Sequence, residues 1–281
     1  MPEFAEVNLH VKWLRERVIG WKISSYEITA PNHFPGLKDD PDKDKTLNEF
    51  FKGATIQRVT QRGKQVVFVL STGTMFSHLM FKGRWSIGGD DFTSNYKKHK
   101  EKPTPKSIGF SLTSSTGQRL NFHEPDRMGK VHAYLNAQPK DCSELAGLGP
   151  EVLITPETET DFSKKEWELA TFKTNITKIS KSIKEFLLDQ KKQSGLGNMY
   201  VCEALYEARI DPSRAAKSLS SDEAEKLYNA ARSILKRSME TKLDYDEVLK
   251  VYHREKDPKG NPVEESQVGG RDTFWVPAVQ K

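Results

Sequence analysis

The sequence predicts an α+β protein of two domains, with a strand-rich first half led by one helix and a helical second half that ends in a β-hairpin. Segments rich in β-branched and aromatic residues recur between turn residues as far as residue 135, and helical periodicity replaces them after about residue 150. Two short strand-like runs between turn residues close the chain. A length of 281 residues suits two domains, each able to bury a core.

The leading helix is indicated between Ala5 and Gly20, where Val and Leu recur every three or four residues and glycine ends the pattern. Seven strands follow it, and together they predict a β-sandwich or barrel. Two polar insertions, Phe34 to Lys45 and Tyr96 to Lys106, interrupt the strands, and the second is either a solvated lysine-rich loop or a nucleic-acid contact. The predicted strands are 21–30, 54–62, 65–70, 74–79, 107–112, 119–122 and 130–135.

The change of pattern around Leu148-Gly149-Pro150-Glu151 places the domain boundary there. Helical periodicity then predicts helices over 160–170, 176–190, 198–208 and 221–242, and a hairpin follows Val251. We therefore expect a strand-rich domain over 1–140, a linker over 141–155, a helical domain over 156–245 and a terminal hairpin over 246–281.

Composition narrows the class of protein. Forty-four Lys and Arg exceed 39 Asp and Glu by five, which permits a nucleic-acid partner without requiring one. Cys142 and Cys202 exclude a disulfide framework, a four-cysteine zinc site and an iron-sulfur cluster. The longest apolar run, Val66 to Leu70, is far shorter than the roughly 20 residues that span a bilayer. Because Glu3 and Glu6 stand where a signal peptide would be basic, we expect an intracellular protein.

The first residues, Met-Pro-Glu, carry possible chemistry. Removal of the initiator Met leaves Pro2 with a free secondary amine, which can attack an aldehydic carbon and form an iminium ion. Glu3 beside it can donate or accept protons. Many proteins begin with these residues by chance, so this pattern alone is weak evidence.

Two further segments suit phosphate binding. Arg58, Arg62 and Lys64 precede a buried strand with no acidic residue among them, and they either grip phosphates or guard a solvated strand edge. Gly195-Leu196-Gly197 precedes a predicted helix that starts with Asn198. Backbone N–H groups at such a helix start can bind an anion, although the same pattern often only turns a corner.

Six motifs in register resemble the formamidopyrimidine-DNA glycosylase and endonuclease VIII family, over nearly the whole chain. They are Met-Pro-Glu with Glu6, Gln61-Arg62-Gly63-Lys64, His78-Leu79-Met80-Phe81-Lys82-Gly83, Leu148-Gly149-Pro150-Glu151, the helix-two-turn-helix segment Leu187 to Tyr200, and Gly270 to Pro277 in the second half of the C-terminal finger.

The resemblance implies a catalytic set of Pro2, Glu3 and Lys64, with Glu6 in support. Pro2 would attack C1′ of a damaged nucleotide, Glu3 would shuttle protons, and Lys64 would bind phosphate and keep the amine unprotonated. Strand cleavage by β- and δ-elimination would follow, with no cofactor or metal, and a flipped lesion would enter an interdomain cleft. The family's phosphate contacts correspond to His78, Arg127, Asn198 and Arg271.

For three of these residues a structural role is the alternative. His78 is equally well explained as a core histidine, Asn198 as a helix N-cap, and Arg271 as a surface arginine on a tight turn.

The chain also departs from the family pattern. Lys259, Pro262, Val276 and Val279 stand where typical members have four zinc-binding cysteines, so the resemblance implies a zincless finger in which packing of the two valines replaces the metal. The void-filling candidates are Phe81 and Met128, the latter in Asp126-Arg127-Met128 where many members have Arg-Arg-Phe. Because Asp126 is acidic where many members have arginine, the opposite-base preference stays open.

The expected substrate follows from a missing loop. Only about eight residues separate the predicted helix end at Lys242 from Val251, too few for the loop that caps 8-oxoguanine in members that favour it. The resemblance therefore implies a preference for ring-opened purines or oxidised pyrimidines.

We interpret the chain as a bifunctional DNA glycosylase/AP lyase of base-excision repair. A non-catalytic DNA-damage-binding protein on the same fold, and an RNA-binding protein that uses only the helical motif, are the alternatives. A pure binder needs none of Pro2, Glu3 and Lys64, which favours the enzyme. The implied partner is double-stranded DNA with a damaged base or abasic site. We expect the protein to be a monomer that binds no membrane, located in the nucleus of a eukaryote or in the cytoplasm and nucleoid of a bacterium.

Overall fold

The computed structural model describes residues 2–30, 42–91, 93, 104–126, 128–159, 161–162 and 166–281. The chain divides into two units. Unit 1 comprises Met1–Gly147 and Thr155–Phe162, and unit 2 comprises Leu148–Ile154 and Ser163–Lys281. Within the described ranges, no helix is both long enough and apolar enough to cross a membrane.

Unit 1 begins with helix α1 and contains two antiparallel sheets. One sheet has the strand order β1-β7-β8-β5-β6 and the other has the order β2-β3-β4-β9. Its helices are α1 (Phe4–Val18), α2 (Lys43–Phe51) and α3 (Ser143–Ala146). Its strands are β1 (Ile23–Ile28), β2 (Ile56–Arg62), β3 (Gln65–Leu70), β4 (Gly73–His78), β5 (Arg84–Ile87), β6 (Asp90–Asp91), β7 (Ile108–Ser114), β8 (Arg119–His123) and β9 (Lys130–Leu135).

The core of unit 1 lies between the two sheets. Trp85 of β5 packs its ring 5.0 Å from that of Phe68 in β3, and its indole N–H donates to Ser77 Oγ of β4 at 2.9 Å. β3 is apolar on both faces because one face meets this core and the other meets α1, whose Phe4, Val11 and Leu14 are fully buried. The two separate sheets confirm the sandwich prediction and rule out the barrel alternative.

A helix that the sequence analysis did not predict begins at the C-terminal end of the polar insertion Phe34 to Lys45. Residues 34–41 lie outside the described residues, and from Lys43 the chain forms α2. Leu47, Phe50 and Phe51 bury one face of this helix, and the Phe51 ring lies 5.4 Å from Phe110 of β7. The other predicted insertion, Tyr96 to Lys106, lies outside the described residues as far as 103.

Residues 155–159, which return to unit 1, extend the sheet that contains β2. Residues 155–159 run beside β2: Gln61 N–H donates to Glu157 O at 2.7 Å, and Glu159 N–H donates to Gln61 O at 2.6 Å. Arg58 pairs with the Glu159 carboxylate at 3.1 Å. β2, the edge strand of this sheet, therefore has its backbone groups covered by chain from beyond the predicted linker.

Unit 2 consists of helices followed by a β-hairpin. The long helix α7 begins after Ser220, whose side chain accepts from Glu223 N–H in a capping box. α6 is buried along nearly its whole length, since it packs against α5, α7 and the hairpin. The elements are α4 (Leu169–Ile176), α5 (Ile183–Leu188), α6 (Asn198–Ala208), α7 (Ser221–Glu240), α8 (Tyr245–Val248), β10 (Glu264–Val268) and β11 (Arg271–Trp275).

Two predicted helices of this unit are wrong. Of the helix predicted over 160–170, residues 160 and 163–165 lie outside the described residues. Trp167 N–H donates to Glu151 O at 2.8 Å, the chain is extended at the N-cap Glu168, and α4 begins only at Leu169. The helix predicted over 176–190 is confined to α5, because Ser182 is an N-cap that accepts from Glu185 N–H.

The hairpin turn consists of Gly269 and Gly270, both with positive φ, at 64° and 69°. Val268 pairs with Arg271 across it, so the two glycines form the two-residue turn that matches strand twist, and the first residue of β11 stands at its tip.

Candidate functional site

The N-terminal residues lie at the start of α1. Glu3 is the N-cap residue and is only 1% exposed, and its backbone N–H donates to the Glu6 carboxylate at 2.9 Å in a capping box. Glu6 is also buried, while Pro2 is half-buried. The fold therefore holds two carboxylates within one helical turn of Pro2, and Glu6 fixes the backbone from which Glu3 projects.

Lys64 lies in the tight turn between β2 and β3. Arg62 pairs with Gln65, which leaves Gly63 and Lys64 as a two-residue loop. Gly63 has φ 56°, the conformation that such a hairpin requires of its first loop residue and that glycine adopts without strain. The position of Lys64 is thus determined by a rigid hairpin, and its side chain is half-buried.

His78 ends β4 directly opposite Gln65. Burial and, to a lesser extent, the nearby Lys64 cation together lower the pKa of His78 to about 4. The imidazole is therefore neutral near pH 7, and its Nδ1 accepts the Met80 N–H at 3.1 Å. A neutral imidazole that accepts at Nδ1 carries its proton on Nε2, so His78 can donate one uncharged hydrogen bond from that atom.

One buried glutamine joins the segments of Pro2 and Lys64. The Gln61 side-chain amide donates to Phe4 O at 3.0 Å and to Gly63 O at 2.8 Å. Its oxygen accepts from Asn8 Nδ2 at 2.8 Å, and the same nitrogen donates to Thr155 Oγ1 at 2.7 Å. The first turn of α1 and the hairpin of Lys64 thus meet at the Gln61 side chain, and Asn8 extends the network to Thr155.

The two void-filling candidates are exposed apolar side chains. Among the described residues the large hydrophobic side chains that stand exposed are Ile19 at 49%, Phe81 at 44% and Met128 at 44%. Lys82 and Asp126 form an ion pair at 3.8 Å, which connects the loop of Phe81 to the loop of Met128. Arg127 lies outside the described residues.

Unit 2 brings Asn198 to the hairpin tip. The N-cap of α6 is Gly197, so the alternative of Asn198 as N-cap is wrong; its Nδ2 instead donates to Asp272 O at 2.8 Å, beside the exposed Arg271. Lys184 of α5, fully buried, donates from Nζ to Asp272 O at 2.8 Å and to Thr273 Oγ1 at 2.5 Å. These contacts fix the direction of the tip.

Packing holds the finger together at the positions that correspond to zinc ligands. Val276 is fully buried against Cys202, Tyr206 and Val251, and the partly buried Val279 packs on the same cluster, which confirms the predicted packing of both valines. Lys259 and Pro262, at the other two positions, are exposed.

Asp257 organises the loop that contains Lys259. Its carboxylate accepts the N–H groups of Lys259 at 2.9 Å and Asn261 at 2.8 Å, the Asn261 amide at 2.9 Å and the Tyr206 hydroxyl at 3.0 Å. In the part of the chain that the structure describes, no group of three or more His, Cys, Asp or Glu residues is placed to hold a metal ion.

The predicted site residues therefore fall into two groups, each within one unit. Unit 1 holds Pro2, Glu3, Glu6, Lys64, His78, Phe81 and Met128, and unit 2 holds Asn198 and Arg271. Sequence reasoning missed Gln61, Asn8, Lys184 and Asp257 as residues that position these groups. Only Asp257 had a local signal, because Asp-Pro-Lys-Gly-Asn is a turn sequence in which Asp accepts from the N–H two residues on.

Known proteins of one family are similar to this chain along its whole length. Family models of the formamidopyrimidine-DNA glycosylase N-terminal, helix-two-turn-helix and C-terminal domains match residues 1–131, 155–247 and 242–281. The formamidopyrimidine-DNA glycosylase of Listeria monocytogenes serotype 4b is 30% identical over 298 residues and covers 100% of both chains. That of Bacillus cereus is 28% identical over 297 residues, with 100% of this chain and 99% of the relative covered.

Solved structures show the same fold. Formamidopyrimidine-DNA glycosylase from Lactococcus lactis, bound non-covalently to DNA with an AP site, superposes with a TM-score of 0.82 at 24% identity over 99% of each chain. MutM in complex with DNA that contains carbocyclic 8-oxo-G superposes with a TM-score of 0.82 at 25% identity over 100% of each chain. The sandwich and the helix-two-turn-helix motif thus define a DNA-glycosylase architecture. This chain belongs to the formamidopyrimidine-DNA glycosylase family.

Proposed function

We propose that this chain is a bifunctional DNA glycosylase and AP lyase of base-excision repair in which Pro2 is the nucleophile. Its family is one of DNA glycosylases, and solved relatives of the same fold bind DNA with an abasic site. The observation that carries the proposal is the corner of unit 1 where one side chain, Gln61, joins the first turn after Pro2 to the hairpin of Lys64. A nucleophile, a proton carrier and a phosphate-binding cation all lie on segments that meet there.

The reaction begins when removal of Met1 leaves Pro2 with its secondary amine. The amine attacks C1′ of the damaged nucleotide, the N–C1′ bond forms, and the glycosidic bond breaks with its electron pair leaving on the base, which takes up the proton that the amine loses. Glu3 donates a proton to the sugar O4′ as the ring opens, which leaves an iminium ion between Pro2 and C1′. Burial of Glu3 keeps its carboxyl out of bulk water.

The iminium ion is an electron sink that drives strand cleavage. Loss of a C2′ proton expels the 3′ phosphate in β-elimination, and a second proton loss expels the 5′ phosphate in δ-elimination. Water then hydrolyses the iminium and restores the amine of Pro2. No redox partner is needed, because each step only moves protons and electron pairs.

Lys64 supports the first step in two ways. Its ammonium binds a phosphate next to the lesion, and its positive field disfavours protonation of a nearby amine, which leaves more Pro2 nucleophilic. The same field already acts on His78, whose pKa Lys64 helps to lower. His78 therefore meets phosphate as a neutral donor.

Each unit has groups that we propose as DNA contacts. The exposed Arg271 at the hairpin tip binds a phosphate as a cation, while Asn198 and Lys184 hold the protein backbone at the neighbouring Asp272. Arg127, outside the described residues, is proposed as a further phosphate contact. The exposed side chains of Phe81 and Met128 enter the gap that a flipped base leaves, because burial between bases removes their apolar surface from water.

We propose that ring-opened purines or oxidised pyrimidines are better substrates than 8-oxoguanine. The chain between α7 and Val251 forms the short helix α8, and Leu243 and Val248 are buried there. Because these residues pack within unit 2, the stretch is too short to form a loop over a purine as well.

Borohydride trapping on DNA that contains an abasic site tests the proposal. Borohydride reduces the iminium ion to a stable amine, so the full chain with Pro2 confirmed as first residue by intact mass should form a covalent adduct. A variant with a short N-terminal extension, in which Pro2 is internal, should form none, whereas Pro2→Gly, which keeps a primary N-terminal amine, should form the adduct only slowly. An undiminished adduct in the extended variant would identify another nucleophile, and binding by the wild type without any adduct would identify a non-catalytic DNA-damage binder.

A lesion panel tests the substrate preference. Single-turnover excision should be faster on ring-opened purines or oxidised pyrimidines than on 8-oxoguanine, in each case with the same opposite base. Fastest excision of 8-oxoguanine would overturn this part of the proposal without affecting the nucleophile.

A further inference from the structure

We infer that Gln61 is a positioning residue that sets the placement of Lys64 relative to the Pro2 amine, and that Asn8 fixes the orientation of the Gln61 amide. This inference rests on the proposed function of Pro2 and Lys64. Gln61 is fully buried and contacts neither substrate nor DNA in the proposed mechanism, so it acts through the two segments that it joins.

The first argument is the direction of each hydrogen bond. The Gln61 NH₂ group has two hydrogens, and both are used: one on Phe4 O, two residues after Pro2, and one on Gly63 O, the residue before Lys64. A single rigid group thus fixes both backbones at distances of 3.0 Å and 2.8 Å. Neither bond belongs to a helix or a sheet ladder, so regular secondary structure does not duplicate this connection.

The second argument is that the amide cannot rotate. If the Gln61 side chain flipped, its oxygen would face the Phe4 and Gly63 carbonyls, and its NH₂ would face the NH₂ of Asn8. Asn8 is only 4% exposed, and its Nδ2, the donor to the Gln61 oxygen, also donates to Thr155 Oγ1 at 2.7 Å. The network therefore has one orientation, which ends at the segment 155–159 beside β2.

The third argument concerns charge. Asn8 and Gln61 are both neutral, so the network joins the two catalytic segments without adding a charge between Pro2 and Lys64. A carboxylate at either position would raise the proton affinity of the amine and oppose the effect of Lys64. Neutral amides thus connect the segments and leave the cation's influence on the amine intact.

Two substitutions of Gln61 separate positioning from charge. Gln61→Met keeps the length and volume of the side chain but removes all three of its hydrogen bonds, so the hairpin of Lys64 loses its connection to the first turn of α1. Gln61→Glu keeps the shape, replaces the two donations by repulsion between oxygens and adds a negative charge. Thr74→Val is the matched control, because Thr74 is buried in the same unit and donates to Ala137 O at 2.8 Å, away from the proposed machinery.

The experiment measures the single-turnover rate of borohydride trapping on saturating abasic-site DNA against pH, using the full chain. Gln61→Met should slow trapping about tenfold to a hundredfold, as a misplacement near 1 Å can do. Its pH profile should shift to higher pH, because a displaced Lys64 no longer depresses the pKa of the amine. Gln61→Glu should shift the profile further. Affinity for DNA with a tetrahydrofuran analogue, which has no aldehyde, should fall only about twofold to fivefold, because the proposed phosphate contacts of His78, Asn198 and Arg271 remain and only that of Lys64 is displaced.

The outcomes are distinct. If wild-type protein forms no adduct, the proposed function fails; if it does and Gln61→Met traps at the wild-type rate with an unshifted pH profile, the positioning role fails. A slow Thr74→Val variant would show that any lost buried hydrogen bond has this effect, which also overturns the inference. If Gln61→Met does not fold, Asn8→Ala, which removes the donor to the Gln61 oxygen and so loosens the Gln61 side chain, should show the same shift in smaller measure, and an unshifted profile counts against the role.

Discussion

The C-terminal finger, in which Val276 and Val279 pack at positions that correspond to zinc ligands, allows a test of what holds it together, through Asp257→Ala. Asp257 accepts four hydrogen bonds, from two backbone N–H groups, the Asn261 amide and the Tyr206 hydroxyl. Burial and this carboxylate raise the pKa of Tyr206 to about 12, which keeps the hydroxyl protonated as a donor. Removal of the carboxylate therefore leaves a buried hydroxyl without its acceptor and a loop without its organising group.

The expected magnitude follows from the surroundings of each donor. The lost bond of Tyr206, which is 9% exposed, should cost about 1.5 kcal/mol as a bond to a charged group. The three donors at Lys259 and Asn261 lie in a turn that water can reach, so each should cost only about 0.5 kcal/mol. The free energy of unfolding should therefore fall by about 3 kcal/mol in Asp257→Ala.

Urea unfolding of the full chain measures this difference, with Asp222→Ala as the control. Asp222 is exposed in the first turn of α7, so its loss should cost at most about 0.5 kcal/mol. Hydrogen exchange should rise over residues 255–263 in Asp257→Ala alone. EDTA should leave the Tm of the wild type unchanged, whereas chelation unfolds a finger that zinc holds. A loss below about 0.5 kcal/mol, or a Tm that falls with EDTA, would refute the reasoning.

Three further predictions concern other parts of the fold. Burial lowers the pKa of His10 to about 4, so the unfolded chain binds more protons than the folded chain between pH 6.5 and 4. As the pH is lowered through that window, the free energy of unfolding should fall by about 1.4 kcal/mol per pH unit. In urea titrations His10→Gln should flatten this dependence. Gly149→Ala should destabilise unit 2 by more than about 1 kcal/mol, because an added Cβ would lie 2.6 Å from the Lys192 carbonyl carbon, and an unchanged Tm would contradict this close approach. Lys184→Met should weaken binding to abasic-site DNA as measured by anisotropy and reduce its salt dependence as Arg271→Ala does, since both lose the same phosphate contact; an unchanged affinity would remove Lys184 from the support of the tip.

Elements with a strong local pattern could be predicted from the sequence almost to the residue. β3 and β9 have the predicted bounds because each is an apolar or β-branched run between turn residues, and α6 begins at Asn198 directly after a glycine pair. The start of α5 was missed although Ser182 and Glu185 form a capping box, because the apolar residues before them mimic helical spacing. α2 was missed because its charged first turn conceals the apolar face around Phe50.

The same distinction between local patterns and distant contacts applies to the residues of the candidate site. Pro2, Glu3 and Lys64 could be found because each belongs to a short motif whose chemistry is recognisable in the sequence. Gln61 and Asn8 could not, since their hydrogen bond joins residues 53 positions apart and neither residue type is unusual for its element. Lys184 and Asp272 are 88 positions apart, and a lone lysine in a predicted helix reads as a solvated residue. Contacts between distant segments depend on the tertiary fold, and one sequence does not reveal them.

The path of the chain through the two units also decides how the protein can be divided. The chain passes from one unit to the other three times, after Gly147, Ile154 and Phe162. A fragment cut near residue 150 would lose the segment 155–159, so β2 would present an unpaired edge and Asn8 would lose Thr155. Such a fragment should self-associate through that edge. Domain exchange with a relative, or separate expression of unit 1, therefore has to carry the chain through Phe162 to yield a soluble, correctly assembled product.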